Sequence, residues 1–282
     1  MPFLRVYLEI TNCCNLACSF CPGTTRRAAF LTVAQFTHLA GALRGQTRFL
    51  YFHVMGEPLL HPDLPELLDI AGRMGFRVVL TTNGTLLPKR QRELLAAQAL
   101  HKDSVSLHSF EANSGVDMEH YLAGCTDFGL AASETGILID YRLWNLDGAE
   151  TRGRNEQNDA ILNHLHAAYP GNWTQNTWGW RLCDRTFIHY GEKFDWPSPD
   201  APDHGEAGTC RALRDQLAVL CDGTVVPCCL DGEGRIPLGN LLAQPLDEIL
   251  AAEPARSIAA GFALQKRLHP LCRRCGYAQR FR

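Results

Sequence analysis

Three cysteines stand close together near the start of the chain. Residues 14–21 read Cys-Asn-Leu-Ala-Cys-Ser-Phe-Cys, so Cys14, Cys18 and Cys21 follow a C-x3-C-x2-C spacing. Three thiolates on one short loop can bind three irons of a cubane cluster, whereas full ligation takes four cysteines. Such a site leaves one iron open to a further ligand, as catalytic metal sites do. Soft thiolate ligands favour an iron–sulfur cluster or zinc over magnesium or calcium.

A second group of cysteines lies towards the C-terminus. It comprises Cys210, Cys228 and the pair Cys272-x2-Cys275, and Cys229 is an adjacent substitute for Cys228. Four thiolates close a coordination sphere, which suits an electron-transfer cluster or a structural zinc ion, and the spacing alone does not separate the two. Of the 12 cysteines of the chain, all but Cys125 and Cys183 bunch at residues 13–21, 210–229 and 272–275. Bunching of this kind favours metal binding over a disulfide framework.

Composition and charge limit the class of protein. The chain has 282 residues, 46% hydrophobic and 20% charged, with a net charge of −3. These values predict a soluble globular protein with one large domain and a small appendage, and neither a nucleic-acid nor a membrane partner. No signal peptide and no apolar run of roughly 20 residues is evident, so a cytoplasmic location is expected. The last stretch is basic, which favours a solvated face over a site for an anionic substrate. Its cations are Lys266, Arg267, Arg273, Arg274, Arg280 and Arg282.

Strands and helices alternate through the first part of the chain. Strands are predicted over 3–10, 49–54, 76–81, 103–108 and 136–144, and helices over 32–44, 63–74, 88–99, 117–132 and 156–168. Alternation of this kind implies parallel strands joined by helical crossovers. With a sixth strand over 185–190, the pattern predicts an α/β fold: a partial parallel (β/α)6 barrel with fewer strands than a closed eight-stranded one.

The remainder divides into two parts. Residues 171–209 hold four of the five tryptophans and several prolines, which predicts an irregular connection that includes the sixth strand. Residues 210–282 predict a small cysteine-rich extension with a β-hairpin over 217–229, turning at Asp222-Gly223 in a type I′ turn, followed by one or two helices over 245–268 divided near Pro254. The expected domains are therefore 1–170, 171–209 and 210–282.

The cysteine loop resembles the signature of the radical S-adenosylmethionine (SAM) superfamily. The C-x3-C-x2-C spacing after the first strand, with Thr11-Asn12 before it and Pro22-Gly23 after it, is typical of that family. The resemblance implies that SAM binds the open iron of a 4Fe-4S cluster held by Cys14, Cys18 and Cys21. Reductive cleavage of SAM then yields a 5′-deoxyadenosyl radical that abstracts hydrogen from a substrate. Cys13 offers a second spacing, but only Cys14 gives that of the family.

Further motifs follow the later strands. Gly56-Glu57-Pro58 resembles the family's Gly-Gly-Glu-Pro segment, which faces the SAM ammonium group, although Met55 replaces the first glycine. Asn83 belongs to a Thr-Asn-Gly turn after the third strand. Polar residues at the next strand ends hold the SAM ribose and carboxylate in relatives, which implies this role for Ser106, His108 and Arg142. His108 as a structural or substrate-binding residue, and Arg142 paired with Asp140, are the alternatives.

The C-terminal cysteines resemble the extensions called SPASM and twitch. The segment Asp222-Gly-Thr-Val-Val-Pro-Cys-Cys229, then Leu238-Gly-Asn240 and a final C-x2-C, carries this resemblance. It implies an auxiliary 4Fe-4S cluster, held by Cys210, Cys228, Cys272 and Cys275, that transfers electrons. Cys125 and Cys183 are candidate hydrogen-atom donors, but buried packing is the more common role of a free cysteine.

The resemblance implies an oxidoreductase-type enzyme that oxidises, epimerises or cross-links a substrate, with an electron donor such as flavodoxin or ferredoxin. The substrate is a peptide, or alternatively a small molecule such as a sugar or cyclitol that is dehydrogenated or epimerised. The first strand is predicted to begin almost at Met1, which leaves no peptide-binding module ahead of it and slightly favours a small or internally recognised substrate. A non-enzymatic iron–sulfur or zinc protein is the remote alternative.

Overall fold

One mixed β-sheet runs through the chain. The computed structural model describes residues 3–113, 115–146 and 156–281. Its 11-stranded sheet has the order β11-β10-β9-β1-β2-β3-β4-β5-β8-β7-β6. The strands are β1 (Arg5–Leu8), β2 (Phe49–Tyr51), β3 (Arg77–Thr82), β4 (Leu100–Ser106), β5 (Leu138–Leu146), β6 (Thr174–Asn176), β7 (Gly179–Cys183), β8 (Thr186–Glu192), β9 (Gln216–Val219), β10 (Thr224–Val226) and β11 (Gly239–Asn240).

The central strands form the expected partial barrel. Strands β1 to β5 pair in parallel in sequence order, and β8 adds to β5 as the sixth parallel strand, in agreement with the prediction over 185–190. Within the described residues the two edge strands, β11 and β6, do not pair with each other, so the sheet stays open. The fold is therefore mixed α/β with a mostly parallel, unclosed sheet.

Helices follow most of the parallel strands. They are α1 (Val33–Ala42), α2 (Leu64–Arg73), α3 (Leu87–Ala96), α4 (Met118–Glu134), α5 (Glu156–Ala168), α6 (Leu246–Ala251), α7 (Ala255–Ala263) and α8 (Pro270–Arg273). Helix α1 begins where the sequence predicts, because Thr32 accepts from the Gln35 amide and the Gln35 side chain reaches back to Thr32 as a capping box. Helices α6 and α7 divide at Pro254 as expected.

The alternation of side chains along the strands separates two environments. In β1, Val6 and Leu8 are fully buried in the main core, which includes residues of α1 to α5. Tyr7 points to the opposite, concave face of the sheet, where it packs with Met55 and Ala218. A period of two along each strand therefore gives the barrel an outer apolar core and a separate interior.

The aromatic segment is more regular than the sequence predicts. Strands β6, β7 and β8 form an antiparallel meander over most of residues 174–192, whereas we expected an irregular connection there. Strand β6 is short and polar, so its sequence lacks the apolar alternation that would have revealed it. The pairing with β7, which in turn pairs with β8, is what holds it in the sheet.

The hairpin of the extension is present, but its turn is not type I′. Leu220 donates to the Thr224 carbonyl at 2.9 Å and Gly223 donates to the Leu220 carbonyl at 2.9 Å, so the loop has three residues, 221–223. A type I′ turn needs positive φ at two central residues, but here only Gly223 adopts one, at +85°. The longer loop keeps Asp222 in an ordinary conformation, where its Oδ1 accepts from the Thr224 amide.

Strand β9 of this hairpin pairs in parallel with β1, so the C-terminal extension continues the barrel sheet. Among the helices of the described residues, none is long and apolar enough to cross a membrane.

Candidate functional site

The first cysteine group lies on the loop that follows β1. Cys14 and Cys21 are exposed, Cys18 is half-buried, and all three are free thiols. Burial raises the pKa of Cys18 to about 12, and the charges of Cys14 and Cys21 add to this increase, so the three thiols lie within electrostatic range of one another. The Cys21 amide donates to the Cys18 carbonyl at 3.1 Å, which turns the loop between them.

Two polar residues anchor this loop to the chain that leaves it. Thr11 Oγ1 donates to the Ala29 carbonyl at 2.9 Å and accepts from the Cys13 amide at 3.0 Å. The Asn12 side chain accepts from the Ala29 amide at 2.8 Å and donates to Arg27. The Cys13 thiol contacts Ala29 and Asn12, within this anchor. The choice of Cys14 over Cys13 as the family cysteine is consistent with that placement.

Gly56 packs against the backbone of Thr11 and Asn12, where the cysteine loop begins. Its φ is +77°, and a Cβ placed on it would lie 2.5 Å from the Thr11 carbonyl oxygen. Only glycine fits this close approach and this backbone conformation. Met55, which stands where the family has another glycine, is buried in the barrel interior, and its amide donates to Glu9 at 3.1 Å. The replacement therefore leaves the backbone approach at Gly56 intact.

Glu57 ties three segments together. Its amide donates to the Cys13 carbonyl at 2.8 Å. Its carboxylate accepts from the Leu59 amide at 3.0 Å, from Thr82 Oγ1 at 2.8 Å and from the Asn83 amide at 2.7 Å. Complete burial raises the pKa of Glu57 to about 7 despite these donors. The resemblance implies that the backbone of this segment, and often the Glu, faces the SAM ammonium group; in this structure the Glu57 carboxylate accepts from protein donors.

Asn83 meets the cysteine loop from the end of β3. Its Nδ2 donates to Asn15 Oδ1 at 2.9 Å and lies 3.9 Å from Cys14 Sγ, while its Oδ1 accepts from Thr85 Oγ1 at 2.7 Å. Tyr121 fixes the backbone here by donating to the Asn83 carbonyl at 2.7 Å. Asn83 and Glu57 therefore hold the loop from two neighbouring strand ends.

His108 forms a wall beside the loop. It is buried, and burial lowers its pKa to about 4, so the ring is neutral at neutral pH. Its Nδ1 lies 3.0 Å from the Arg142 carbonyl, and its ring centroid lies 4.7 Å from that of Phe20, between Cys18 and Cys21. Ser106 is half-buried at the end of β4, opposite Arg142 in the strand register.

The Arg142 side chain lies apart from these contacts. Its guanidinium carbon is 3.5 Å from the centroid of the Trp144 ring. It is within electrostatic range of Asp140, Tyr7 and Tyr277, which belong to the barrel interior and the C-terminal segment. The structure thus groups Gly56, Glu57, Asn83 and His108 around the cysteine loop, and the Arg142 charge lies within electrostatic range of His108.

The second cysteine group comes together from three segments of the extension. Burial raises the pKa of Cys272 to about 12 and that of Cys275 to about 11, and the Cys210 charge adds to both. Burial also raises the pKa of Cys228 well above its ordinary value, with contributions from all three of these thiols. In the described parts of the chain, no group of three or more histidine, cysteine or acidic side chains has the arrangement of a metal site.

The buried Arg267 side chain lies within electrostatic range of this cysteine group and indicates whether the group suits an anionic cluster. It is the largest fully buried side chain of the described residues, 1% exposed, and its Nε has no hydrogen-bond partner. Its charge lowers the pKa of Cys210, Cys272 and Cys275, against the effect of burial. A buried cation without a counterion is costly unless a negative charge is nearby, and the single hydrogen bond from Arg267 Nη2 to the Ala278 carbonyl leaves this charge uncompensated. Four thiolates around a cluster would provide that charge, so the residues fit.

Cys228 and Cys229 face opposite surroundings. Cys228 packs against the main core with Cys210 and Cys272. Cys229 packs against the interior cluster of Tyr7 and Met55. Sequence spacing left the two as alternatives; Cys228 lies within electrostatic range of Cys210, Cys272 and Cys275, whereas of these three only Cys210 acts on Cys229. Of the other thiols, Cys125 is buried in α4, whereas Cys183 is exposed at the end of β7.

Aromatic residues that the sequence analysis left without a role connect the two groups. Trp196 Nε1 donates to the Phe20 carbonyl at 3.0 Å, within the first cysteine loop. The neighbouring Asp195 carbonyl accepts from the Gly276 amide at 3.1 Å, directly after Cys275. The tryptophan-rich composition of this segment was the only sequence signal for it. For Arg267 there was none, because it stands in a basic run and looks like its exposed neighbours.

Two family models match the chain. Residues 8–121 match the radical SAM superfamily, and residues 210–276 match the iron-sulfur cluster-binding domain SPASM. The chain belongs to the radical SAM superfamily. It is a radical SAM enzyme with a C-terminal SPASM domain, and its cofactors are SAM, the 4Fe-4S cluster that binds SAM and an auxiliary iron–sulfur cluster.

Individual relatives are more distant. The chain is 35% identical over 152 residues to GTP 3′,8-cyclase of Stenotrophomonas maltophilia, which covers 49% of this chain and 46% of that protein. It therefore spans about half the length of that curated relative. BtrN in complex with AdoMet and 2-DOIA superposes with a TM-score of 0.62 at 18% identity, over 97% of this chain and 92% of BtrN. Streptococcus suis SuiB bound to precursor peptide SuiA gives 0.59 at 14%, over 98% and 72%. These structural likenesses show the fold.

Proposed function

We propose that this radical SAM enzyme oxidises, epimerises or cross-links its substrate, and that its auxiliary cluster transfers electrons. The observation that carries the proposal is the opposite placement of Cys228 and Cys229. Cys228 lies with the quartet of the extension, and the next residue lines the barrel interior. A substrate bound in the interior is therefore separated from the second cysteine group by adjacent residues of one segment, which suits electron transfer.

The ligands follow from the two cysteine groups. Cys14, Cys18 and Cys21 hold the cluster that binds SAM, and Cys210, Cys228, Cys272 and Cys275 hold the auxiliary cluster. Bound together, SAM and the first cluster supply a radical that abstracts hydrogen. Four protein ligands leave the auxiliary cluster closed to substrate, so electron transfer is the role that remains for it.

The chain's own residues position SAM and exclude water from it. Gly56 and Pro58 present backbone at the end of β2 to SAM, while Glu57 fixes this segment against Asn83. Ser106 and His108 contribute at the end of β4. The neutral His108 ring, tilted against Phe20, forms a wall at the cysteine loop. Trp196 covers the loop through its bond to the Phe20 carbonyl. Water excluded from this site cannot quench reactive intermediates.

The substrate class we propose first is a peptide, in line with the likeness to SuiB bound to its precursor peptide. The second candidate is a small molecule such as a sugar or cyclitol, favoured by the near-complete overlap with BtrN, solved with 2-DOIA. A low-potential donor such as flavodoxin or ferredoxin supplies the electron that begins the reaction.

The decisive experiment measures the formation of 5′-deoxyadenosine from SAM. The protein is reconstituted anaerobically with iron and sulfide, incubated with SAM and dithionite, and the products are separated by chromatography. We expect 5′-deoxyadenosine from the wild type and none from a variant with alanine at Cys14, Cys18 and Cys21. A variant with alanine at Cys272 and Cys275 should still cleave SAM, because the first cysteine group is intact.

Metal analysis separates the auxiliary cluster from zinc. Iron for two clusters in the wild type, and for one in the Cys272 and Cys275 variant, supports the proposal. Iron for one cluster together with stoichiometric zinc in the wild type would contradict the electron-transfer role. Some relatives cleave SAM only with substrate bound, so a negative wild-type result is followed by spectroscopy of SAM at the cluster. Absence of that signal would overturn the proposal.

A further inference from the structure

The interior of the barrel carries more positive than negative charge. Its side chains come from alternate positions of the parallel strands, facing away from the helices. Acidic and basic residues there include Arg5 of β1, Lys102 of β4, and Asp140 and Arg142 of β5. Tyr7, Tyr51 and His53 lie among them, with ring centroids 4.9 to 6.0 Å apart.

Asp140 does not neutralise the arginines. Its Oδ2 lies 2.6 Å from Lys102 Nζ and its Oδ1 lies 2.6 Å from His189 Nδ1. Burial alone would raise its pKa, but these two partners more than offset burial and hold the pKa below its ordinary value. Asp140 is therefore ionised, and its charge is shared between Lys102 and His189.

Arg142 stands above this group without a counterion. Its Nε is buried and has no hydrogen-bond partner. The centroid of the Trp144 ring lies 3.5 Å from the guanidinium carbon, and this stacked contact restricts the orientation of the side chain. Among residues 3–113, 115–146 and 156–281, no carboxylate lies within ion-pair distance of Arg142. A guanidinium fixed in this way is ready for a bidentate anion.

Arg5 approaches the same space from β1. It is half-buried, and its guanidinium carbon lies 5.5 Å from the centroid of the Tyr51 ring. Tyr51 is within electrostatic range of both Arg5 and Arg142, so the two cations border one space. Asp215 lies within electrostatic range of Arg5, but its carboxylate pairs with Arg211 and Arg214, and in the described parts of the chain no carboxylate lies within ion-pair distance of Arg5. Cys229, next to the auxiliary ligand Cys228, faces this space too.

We propose that Arg142 and Arg5 bind an anionic group of the substrate, a carboxylate or a phosphate, in the barrel interior between the two cysteine groups. This deepens the proposed function and rests on it. Two interior cations left without an anion would be costly, and a substrate anion removes that cost when it binds. A carboxylate-bearing peptide or a phosphorylated small molecule satisfies this site. A neutral sugar or cyclitol leaves both arginines unpaired.

The proposal gives Arg142 a role in binding the substrate in place of a role in binding SAM. The resemblance implied that Arg142 helps to hold the SAM ribose or carboxylate, whereas its guanidinium lies on the Trp144 ring and within electrostatic range of Tyr7 and Tyr277 as well as of His108. If Arg142 serves the substrate, removing its charge weakens anion binding and leaves SAM binding unchanged. If it serves SAM, the reverse holds.

The test uses the reconstituted holoenzyme, saturated with SAM under anaerobic conditions, and inorganic phosphate as the probe. Calorimetric titration should give saturable binding at millimolar concentration to the wild type. Arg142→Gln should weaken phosphate binding at least about tenfold, and Arg5→Gln should weaken it less, because Arg5 is more exposed and its charge is better screened. Arg142→Lys should retain part of the binding, since it keeps the charge but not the planar fork.

The control is Arg92→Gln, an exposed arginine on α3 outside the barrel, which should bind phosphate like the wild type. SAM affinity and iron content are measured for every variant, so a misfolded protein is recognised by lost iron. Three results would overturn the proposal: no saturable phosphate binding by the wild type, unchanged binding by Arg142→Gln, or loss of SAM binding by Arg142→Gln with iron retained. None of these depends on 5′-deoxyadenosine formation, so failure of the proposed function is recognised separately.

Discussion

The buried Arg267 should control the reduction potential of the auxiliary cluster. Its backbone amide donates to the Glu206 carbonyl at 2.7 Å and its Nη2 donates to the Ala278 carbonyl at 3.0 Å, so the guanidinium is fixed in place. It lies within electrostatic range of Cys210, Cys272 and Cys275. Reduction adds one negative charge to the cluster, which a nearby cation stabilises. Removing the cation should therefore lower the potential.

The magnitude follows from Coulomb's law. For a separation on the order of 7 Å and an effective dielectric constant of about 20, one unit charge contributes roughly 2 kcal/mol, or about 100 mV for a one-electron couple. The side chain is 1% exposed, so screening by solvent is weak. Arg211, which neighbours Cys210 in sequence but has a side chain 48% exposed, should contribute only a small fraction of this shift.

The assay is a redox titration followed by electron paramagnetic resonance. Alanine at Cys14, Cys18 and Cys21 removes the first cluster, so that only the auxiliary signal remains. In this background Arg267→Met should lower the potential by about 100 mV, while Arg267→Lys and the matched Arg211→Gln change it little. Equal potentials for Arg267→Met and its parent, with equal iron content, would refute the reasoning and leave Arg267 a purely structural residue.

The remaining predictions concern backbone fit, buried charge and ligand identity. Gly56→Ala should abolish iron binding at the first cysteine group, because the added Cβ would lie 2.5 Å from the Thr11 carbonyl oxygen. The matched control is Gly75→Ala, which has a similar φ but open space around the added Cβ. This variant should retain iron and lose only about 1 kcal/mol of stability. Asp103 is fully buried, and this burial, together with the charge of Glu57, raises the pKa of Asp103 to about 8. The unfolded chain releases this proton at a lower pH, so the free energy of unfolding should fall as pH rises from about 4 to about 8, by up to a few kcal/mol, and Asp103→Asn should flatten this slope in urea denaturation. Cys228→Ala should lose the iron of one cluster while Cys229→Ala keeps it, and equal losses in metal analysis would contradict the assignment of Cys228 alone.

The regular barrel could be predicted because its signals are local. Most of the parallel strands contain a short run of β-branched and apolar residues, and helix starts such as Thr32 carry their own capping chemistry. The sixth strand was also visible over 185–190. Strand β6 was not, because Thr174–Asn176 is polar and its place depends on pairing with β7, a contact that no local pattern encodes.

In the candidate site, too, local features could be predicted from the sequence and those that depend on distant neighbours could not. The cysteine spacing predicts the two groups, since ligands of one loop or one pair stand near each other in sequence. The roles of individual side chains depend on three-dimensional neighbours. Glu57 looked like a cofactor ligand, yet Thr82 and Asn83 engage its carboxylate after the chain has passed through a helix and a further strand. Burial of Arg267 within a basic run is likewise set by packing alone.

Strand β1 links the segments that carry the two cysteine groups. The C-terminal end of β1 leads into the first cysteine loop. The edge of β1 opposite β2 pairs in parallel with β9, the first strand of the hairpin that ends at Cys228. Tyr7, at the middle of β1, packs in the same interior cluster as Met55, with Cys229 against it. A shift of one residue in the β1–β9 register would turn Tyr7 outward and change which side chains of the hairpin face the interior. The pairing of one short strand therefore sets which residues lie between the barrel interior and the second cysteine group.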